Sequence, residues 1–304
     1  MAEGLCTGRV VVITGAGNGI GRAHALAFAA QGAKVVVNDL GGSRDGTGSS
    51  AGPAQAVADE ITAAGGEAVA NADDISSWAG AERLIRQAVD TFGGLDVVVN
   101  NAGILRDRMI VTMTEQDWDA VIAVHLKGTF AVLHHAAAYW RQRAKGGQAN
   151  DARVINTTSP SGLFGNPGQA NYGAAKAGIA SLTVIAAGEL DRYGVTVNAI
   201  APTALTRMTE DIEMMRAAAA ATDLSPEAIS PLVVWLGSPE SRAVTGRVFG
   251  VWGNAITLLE GWVNGPASSR DTRWDQAGLS EVIPGLVAKA APNAGTLGNR
   301  QPAD

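Results

Sequence analysis

The sequence predicts an α/β fold: a doubly wound parallel sheet of about seven strands in a single domain. Three observations carry this. Short apolar runs recur along the 304 residues, stretches of helical length separate them, and the runs are continuous and β-branched rather than alternating. Continuous runs fit strands covered on both faces, as in a parallel sheet. Strand alternating with helix then implies right-handed crossovers that wind helices onto both faces.

The strands are expected at RVVVITG (9–15), AKVVVND (33–39), LDVVVNN (95–101), ARVINTTS (152–159) and VTVNAIAP (195–202), with weaker runs at EAVANAD (67–73) and GRVFGV (246–251). Helices are expected over 20–31, 53–64, 78–92, 115–143, 169–193 and 226–236. Two segments break the rhythm. GGSRDGTGSSAG (41–52) is a polar loop after the second strand, and AAPNAGTLGNRQPAD (290–304) reads as a mobile tail. Trp235, Trp252, Trp262 and Trp274 fall in the final quarter, as core or subunit-contact aromatics.

Composition narrows the function. Hydrophobic residues make up 46% and charged ones 17%, enough for a sizeable core, and the net charge of −6 argues against nucleic acid or an anionic membrane as partner. One cysteine, Cys6, excludes an intramolecular disulfide and a Cys-based zinc cluster; His24, His134 and His135 read as structural or surface groups, and no metal is implied. There is no uninterrupted apolar run of about 18 residues. A glycine-rich turn by residue 15 leaves no room for a secretory leader, and QPAD at the end is not a peroxisomal address. A soluble, cytoplasmic protein is expected.

TGAGNGIG (14–21) joins the first strand to the first helix. Glycines permit the tight turn, and missing Cβ atoms let a pyrophosphate reach amide N–H groups at the helix N-terminus. Gly15, Asn18, Gly19, Ile20 and Gly21 are therefore candidate cofactor-binding residues. Asp39 closes the second strand, eighteen residues beyond Gly21. Its carboxylate can accept from an adenosine ribose diol and repels a 2′-phosphate, favouring NAD over NADP; the alternative is a strand-end cap of a turn. Arg44, in the following loop, is the cation that works against this choice. Asp74 and Ile75 in NADDI, and Asn101 in NNAG, close the next strands, where they either meet adenine and ribose or serve as turn residues.

NYGAAKAG (171–178) places Tyr172 and Lys176 one helical turn apart, with Cβ atoms about 5–6 Å from each other. A free phenol has a pKa of about 10, and a neighbouring ammonium pulls it down. Ser159, thirteen residues earlier, ends a strand where its hydroxyl can hold a carbonyl or alkoxide oxygen.

Together these motifs resemble the short-chain dehydrogenase/reductases, over residue 9 to about residue 207. The resemblance implies a Rossmann-type domain and a nicotinamide cofactor that carries hydride. It implies Tyr172 as acid/base, Lys176 lowering the phenol pKa and gripping the nicotinamide ribose, and Ser159 orienting the reacting oxygen. Residues 1–265 would form this catalytic domain and 266–304 a C-terminal extension. A homodimer or homotetramer is the assembly the family implies.

A narrower likeness lies in VVVNDLGG, NNAGILRDR (100–108), DWDAVIAVHLKGTF (117–130) and GNPGQANYGAAK (165–176). These resemble the (3R)-hydroxyacyl-CoA dehydrogenase unit of peroxisomal multifunctional enzyme type 2 and its bacterial relatives of the 17β-hydroxysteroid dehydrogenase type. The sequence departs from the general family pattern twice. His125 replaces the usual Asn near the lysine, as in this subgroup, and is either part of a proton relay or a packed helix residue. Pro202-Thr203 replaces the usual Pro-Gly after the sixth strand, with Thr206 still placed to meet the carboxamide.

TRMTEDIEMMRAAAAATDL (206–224) is expected to cover the substrate and LFGNPG (163–168) to line its other wall. The expected activity is NAD-dependent oxidation of a secondary alcohol, in a (3R)-3-hydroxyacyl-CoA or a 17β-hydroxysteroid. The competing readings are an NADPH-dependent 3-oxoacyl-carrier-protein reductase and a non-catalytic dinucleotide sensor.

Overall fold

Successive residues of each central strand enter two different apolar layers, so the strands carry no polar face. In β1 (Val10–Thr14), Val11 and Ile13 pack in the layer that holds Phe28 of α1 (Gly19–Ala30). Val10 and Val12 pack in the layer that holds Leu84 and Ala88 of α3 (Trp78–Phe92). The computed structural model describes residues 4–206, 213–296 and 298.

The remaining strands are β2 (Lys34–Asn38), β3 (Glu67–Asn71), β4 (Val97–Asn100), β5 (Ala152–Thr157), β6 (Val195–Thr203), β7 (Val248–Trp252) and β8 (Ala255–Leu259). They form one eight-stranded sheet in the order β3-β2-β1-β4-β5-β6-β7-β8. All neighbours are parallel except β7 and β8, an antiparallel hairpin. Winding reverses between β1 and β4, and there the carboxyl ends of strands open a crevice.

The other helices are α2 (Gly52–Ala63), α4 (Glu115–Ile122), α5 (Gly128–Lys145), α6 (Pro160–Phe164), α7 (Ala170–Leu190), α8 (Glu213–Ala219), α9 (Ser230–Gly237) and α10 (Gln276–Lys289). Local chemistry sets several boundaries. Ser77 accepts from Gly80 N–H to start α3, and Gly93, in left-handed conformation, ends it. Thr114 and Asp117 form a capping box at the start of α4.

Four features differ from expectation. The sheet gains an eighth strand, β8, whose mostly exposed AITLL lacks the continuous burial of the inner strands. The single helix expected over 115–143 is interrupted by one π-helical turn, Ala123–Lys127. The C-terminal stretch contains α10, and the expected mobile tail runs back to the fold: a Cβ on Gly298 would lie 2.7 Å from the Phe164 ring. Residues 297 and 299–304 of that tail lie outside the described residues. Of the four late tryptophans, Trp262 is wholly exposed; among the described residues the tryptophan sealed in the core is Trp140, which donates to Leu95 O at 2.8 Å. The run Glu115–Lys145 is long and apolar enough to cross a membrane by length and composition, and 44% of its most apolar window is buried inside the fold.

Candidate active site

The crevice begins where β1 ends. Thr14 Oγ1 accepts from the N–H groups of Asn101 and Ala102 at 3.0 and 3.1 Å, and Asn101 Nδ2 donates to Thr14 O and Gly15 O at 3.0 and 3.1 Å. This lacing draws the ends of β1 and β4 so close that side chains do not fit. A Cβ on Gly15, whose φ is +63°, would lie 2.7 Å from Ala102 Cα, and one on Gly21 would strike Gly15 O and the Asn101 amide. Asn18 makes no side-chain cap on α1, which leaves the first-turn N–H groups for an anionic ligand.

Asp39 faces the same turn. One carboxylate oxygen accepts from Gly17 N–H at 2.8 Å and the other from Gly41 N–H at 2.7 Å. The turn-capping role is thus real, and a carboxylate with about four acceptor sites retains capacity for a diol. Asp74 likewise accepts from Ser76 N–H and Oγ at 2.8 and 2.7 Å.

A groove of about 220 Å³ unites Gly15, Asn18, Gly19, Ile20, Gly21, Asp39, Asp74, Ile75, Asn101 and Thr206, with Arg44 also on its wall. The bare glycine turn, the uncapped helix start and the strand-end carboxylate fit a dinucleotide. A larger, shallower concavity of about 600 Å³, lined by residues of α5 and α7 such as Arg141 and Glu189, holds none of these residues. The loop over 41–50 closes on the groove: Ser43, Asp45 and Thr47 form one hydrogen-bonded turn, and Leu105 N–H donates to Arg44 O at 3.0 Å.

The second cluster lies beyond the end of β5. Ser159 caps α6, its Oγ accepting from Ser161 N–H at 3.2 Å, and its hydroxyl is near enough to the Tyr172 phenol to favour the ionised form. Tyr172 stands in the first turn of α7. Lys176 is buried on the same helix; its Nζ donates to Thr157 O at 2.6 Å and sits 5.5 Å from the centre of the Tyr172 ring. Ser159, Tyr172 and Lys176 are therefore together, as the spacing implied.

The electrostatics correct one expectation. Burial pushes the Tyr172 phenol up and the Asp107 carboxylate adds to this, while the Ser159 hydrogen bond opposes it. Burial also brings Lys176 down to about 7. Desolvation outweighs the expected pull of the cation on the phenol.

His125 sits in the π turn, 1% exposed, its ring at right angles to that of Tyr172 with centres 5.1 Å apart. Its Nε2 lies 2.8 Å from Ile104 O and 3.0 Å from Ile104 N. Pro202 and Thr203 lie within β6, paired with Val251 and Trp252, so the substitution at 203 falls in regular strand and not in the loop that leads to Thr206. The expected substrate cover is described only in part: residues 207–212 lie outside the described residues.

Two contributors escaped the sequence. Asn171, fully buried, accepts from Tyr172 N–H at 2.8 Å and donates to Arg106 O and Asp117 O at 3.0 and 3.1 Å. Its only signal was its place beside the tyrosine in ANYG. Gly17 is the other: a Cβ there would lie 2.8 Å from Asp39 Oδ2, so Gly17 is what lets the carboxylate reach the turn.

The short chain dehydrogenase family pattern matches residues 9–217. The chain is 46% identical over 301 residues to hydroxyacyl-CoA dehydrogenase ChsB1 of Mycobacterium tuberculosis, covering 94% of this chain and 90% of that one. It is 46% identical over 255 residues to peroxisomal multifunctional enzyme type 2 of Mus musculus; the match takes in 83% of this chain and 32% of that much longer protein. Among solved structures, a short chain dehydrogenase from Mycobacterium avium superposes with a TM-score of 0.87 at 56% identity, over 97% of this chain and 100% of that one. With a glycine turn at the switch point and Ser159, Tyr172 and Lys176 gathered beside it, this chain belongs to the short-chain dehydrogenase family of nicotinamide-dependent oxidoreductases.

Proposed function

We propose that the protein oxidises the 3-hydroxyl of a (3R)-3-hydroxyacyl-CoA to the ketone, with NAD as the acceptor. The observation that carries the reading is Ser159, Tyr172 and Lys176 clustered beside a groove headed by Asp39. The hydroxyacyl-CoA dehydrogenase relative supports the substrate class, and Asp39 supports NAD because its charge repels a 2′-phosphate.

When bound, the nicotinamide supplies the hydride acceptor. The chain's own residues do the rest. Ser159 Oγ holds the substrate oxygen, and the Tyr172 phenolate takes its proton. Lys176, held by Thr157 O, lies beside the tyrosine and would hold the ribose of a bound cofactor. Asn101 and Thr14 tie the ends of β1 and β4 together at the floor of the crevice.

The test is NAD and NADP reduction against a panel of (3R)-3-hydroxyacyl-CoAs, 17β-hydroxysteroids and 3-hydroxyacyl-carrier proteins. The expected result is turnover of the CoA thioesters with NAD, falling at least about 100-fold in Tyr172→Phe while NADH binding survives. Preference for steroids, or for NADP with carrier-protein substrates, would replace this reading. Tight NADH binding with no turnover of any substrate would leave a dinucleotide sensor.

A further inference from the structure

We propose that His125 is a positioning residue, a wedge fastened to the Ile104 peptide whose ring sets the orientation of the Tyr172 phenol. This deepens the proposed function and rests on Tyr172 being its proton acceptor.

Three observations converge. The first is the π turn Ala123–Lys127, which puts His125 on the buried side of an otherwise α-helical run. Such single turns shift side-chain register and recur at functional sites. The second is space. A Cβ on Gly103 would strike the imidazole, so the ring fills the volume that the glycine leaves. The third is contact. The ring meets Tyr172 edge-on at 90°, an arrangement favoured for aromatic pairs.

The same geometry opposes a proton relay through this histidine. Nε2 is committed to Ile104 in either tautomer, donating to the carbonyl when protonated and accepting the N–H when not. Nδ1 is buried and has no partner among the described residues. Burial and the nearby Lys176 charge push the imidazole down to about 3, so the ring stays neutral wherever the phenol titrates. A ring with one nitrogen tied and little basicity orients its neighbour and carries no proton.

Ile104 extends the consequence. A Cβ on Gly46 would lie 2.9 Å from Ile104 Cδ1, so the loop over the groove rests on the residue that His125 holds. The wedge therefore ties the phenol to the cofactor side of the crevice.

Wild type, His125→Phe and His125→Ala separate the roles. Phe keeps an aromatic ring without either nitrogen, and Ala removes the ring. Kinetics with NAD and a (3R)-3-hydroxyacyl-CoA would be paired with a ¹³C titration of the tyrosine Cζ signals, Tyr172 being assigned with Tyr172→Phe. The charged or titratable groups facing that phenol are Lys176 on its own helix, Asp107 from the loop after β4, and His125 itself.

The expected result for Ala is a kcat loss of about 10- to 100-fold at near-constant KM for NAD, with the phenol titrating closer to the free value of about 10 as water replaces the ring. Phe is expected to keep kcat within about fivefold of wild type and the wild-type titration. Equal loss in Phe and Ala would assign proton transfer to the nitrogens and overturn the proposal. So would an Ala variant with wild-type kcat, or one with reduced kcat and an unchanged Tyr172 titration. If Ala fails to fold, His125→Leu fills the volume without an aromatic plane: it is expected to lose kcat as Ala does while keeping the wild-type titration, because no water enters, and a wild-type kcat there would overturn the proposal. The titration needs no substrate, so it still decides the wedge if the wild type turns over none of the thioesters.

Discussion

The Lys176 nitrogen lies 5.5 Å from the centre of the Tyr172 ring while donating to the Thr157 carbonyl at 2.6 Å. The cation is thus fastened to the end of β5, beside the phenol and not on it. With burial raising the phenol, little phenolate exists near neutrality, and its share grows with each pH unit below the phenol's pKa. Alcohol oxidation is therefore expected to accelerate from about pH 6 to about pH 9, and the reverse ketone reduction to slow over the same range. Initial rates in both directions across this range check it. A flat profile for oxidation, with chemistry rate-limiting, would remove Tyr172 as the proton acceptor.

Asp39 accepts from both Gly17 and Gly41, so its removal has two consequences. Asp39→Ala is expected to lift discrimination against NADP, because the repelling charge is gone and Arg44 lines the same groove. It is also expected to cost about 1–3 kcal/mol of stability through the backbone donors left without a partner. The NAD to NADP ratio of kcat/KM and urea unfolding read the two effects separately. An unchanged ratio would show that discrimination resides elsewhere.

Much of this was legible in the sequence, for identifiable reasons. The inner strands announced themselves because both faces are buried, which demands continuous apolar runs; β8 did not, because most of its residues are exposed. The nucleotide turn and Tyr172–Lys176 are local patterns, and local patterns survive in one dimension. The π turn is invisible there, since AVHLK reads as ordinary helix and only tertiary packing imposes the shift. The electrostatics were read with the wrong dominant force. A charge pair is visible as spacing, whereas desolvation of Tyr172 and Lys176 depends on what the rest of the chain packs around them.

Asn171 joins three backbone segments through one buried amide, at Arg106, Asp117 and Tyr172. Asn171→Ala leaves two carbonyls and one N–H short of a partner. The expected effects are a stability loss of about 1–3 kcal/mol and a lower kcat at similar KM, because the start of α7 no longer holds Tyr172 in place. Thermal melts and steady-state kinetics test this. A variant that is destabilised but catalytically intact would make Asn171 a structural strut only.

Acid stability follows from two buried histidines. His24, whose Nδ1 lies 2.9 Å from Ser230 Oγ, and His125 are each pushed down to about 3 by burial. Their ordinary value is about 6.5. Between these limits the unfolded chain binds more protons than the folded one, so stability rises with pH across that window and is lost as pH falls. Each group contributes up to about 1.4 kcal/mol per pH unit there. Lys176, lowered to about 7, acts in the same direction at higher pH: its penalty is complete below about 7 and fades towards the ordinary lysine value of about 10.4. Stability is therefore expected to climb from about pH 4 to neutrality and to keep a shallower rise above it. His24→Gln, which keeps an amide for Ser230 without the titration, is expected to flatten the acid limb by one group's share. Urea unfolding free energies at a series of pH values measure that limb, and a slope identical to wild type would show that His24 does not titrate on unfolding.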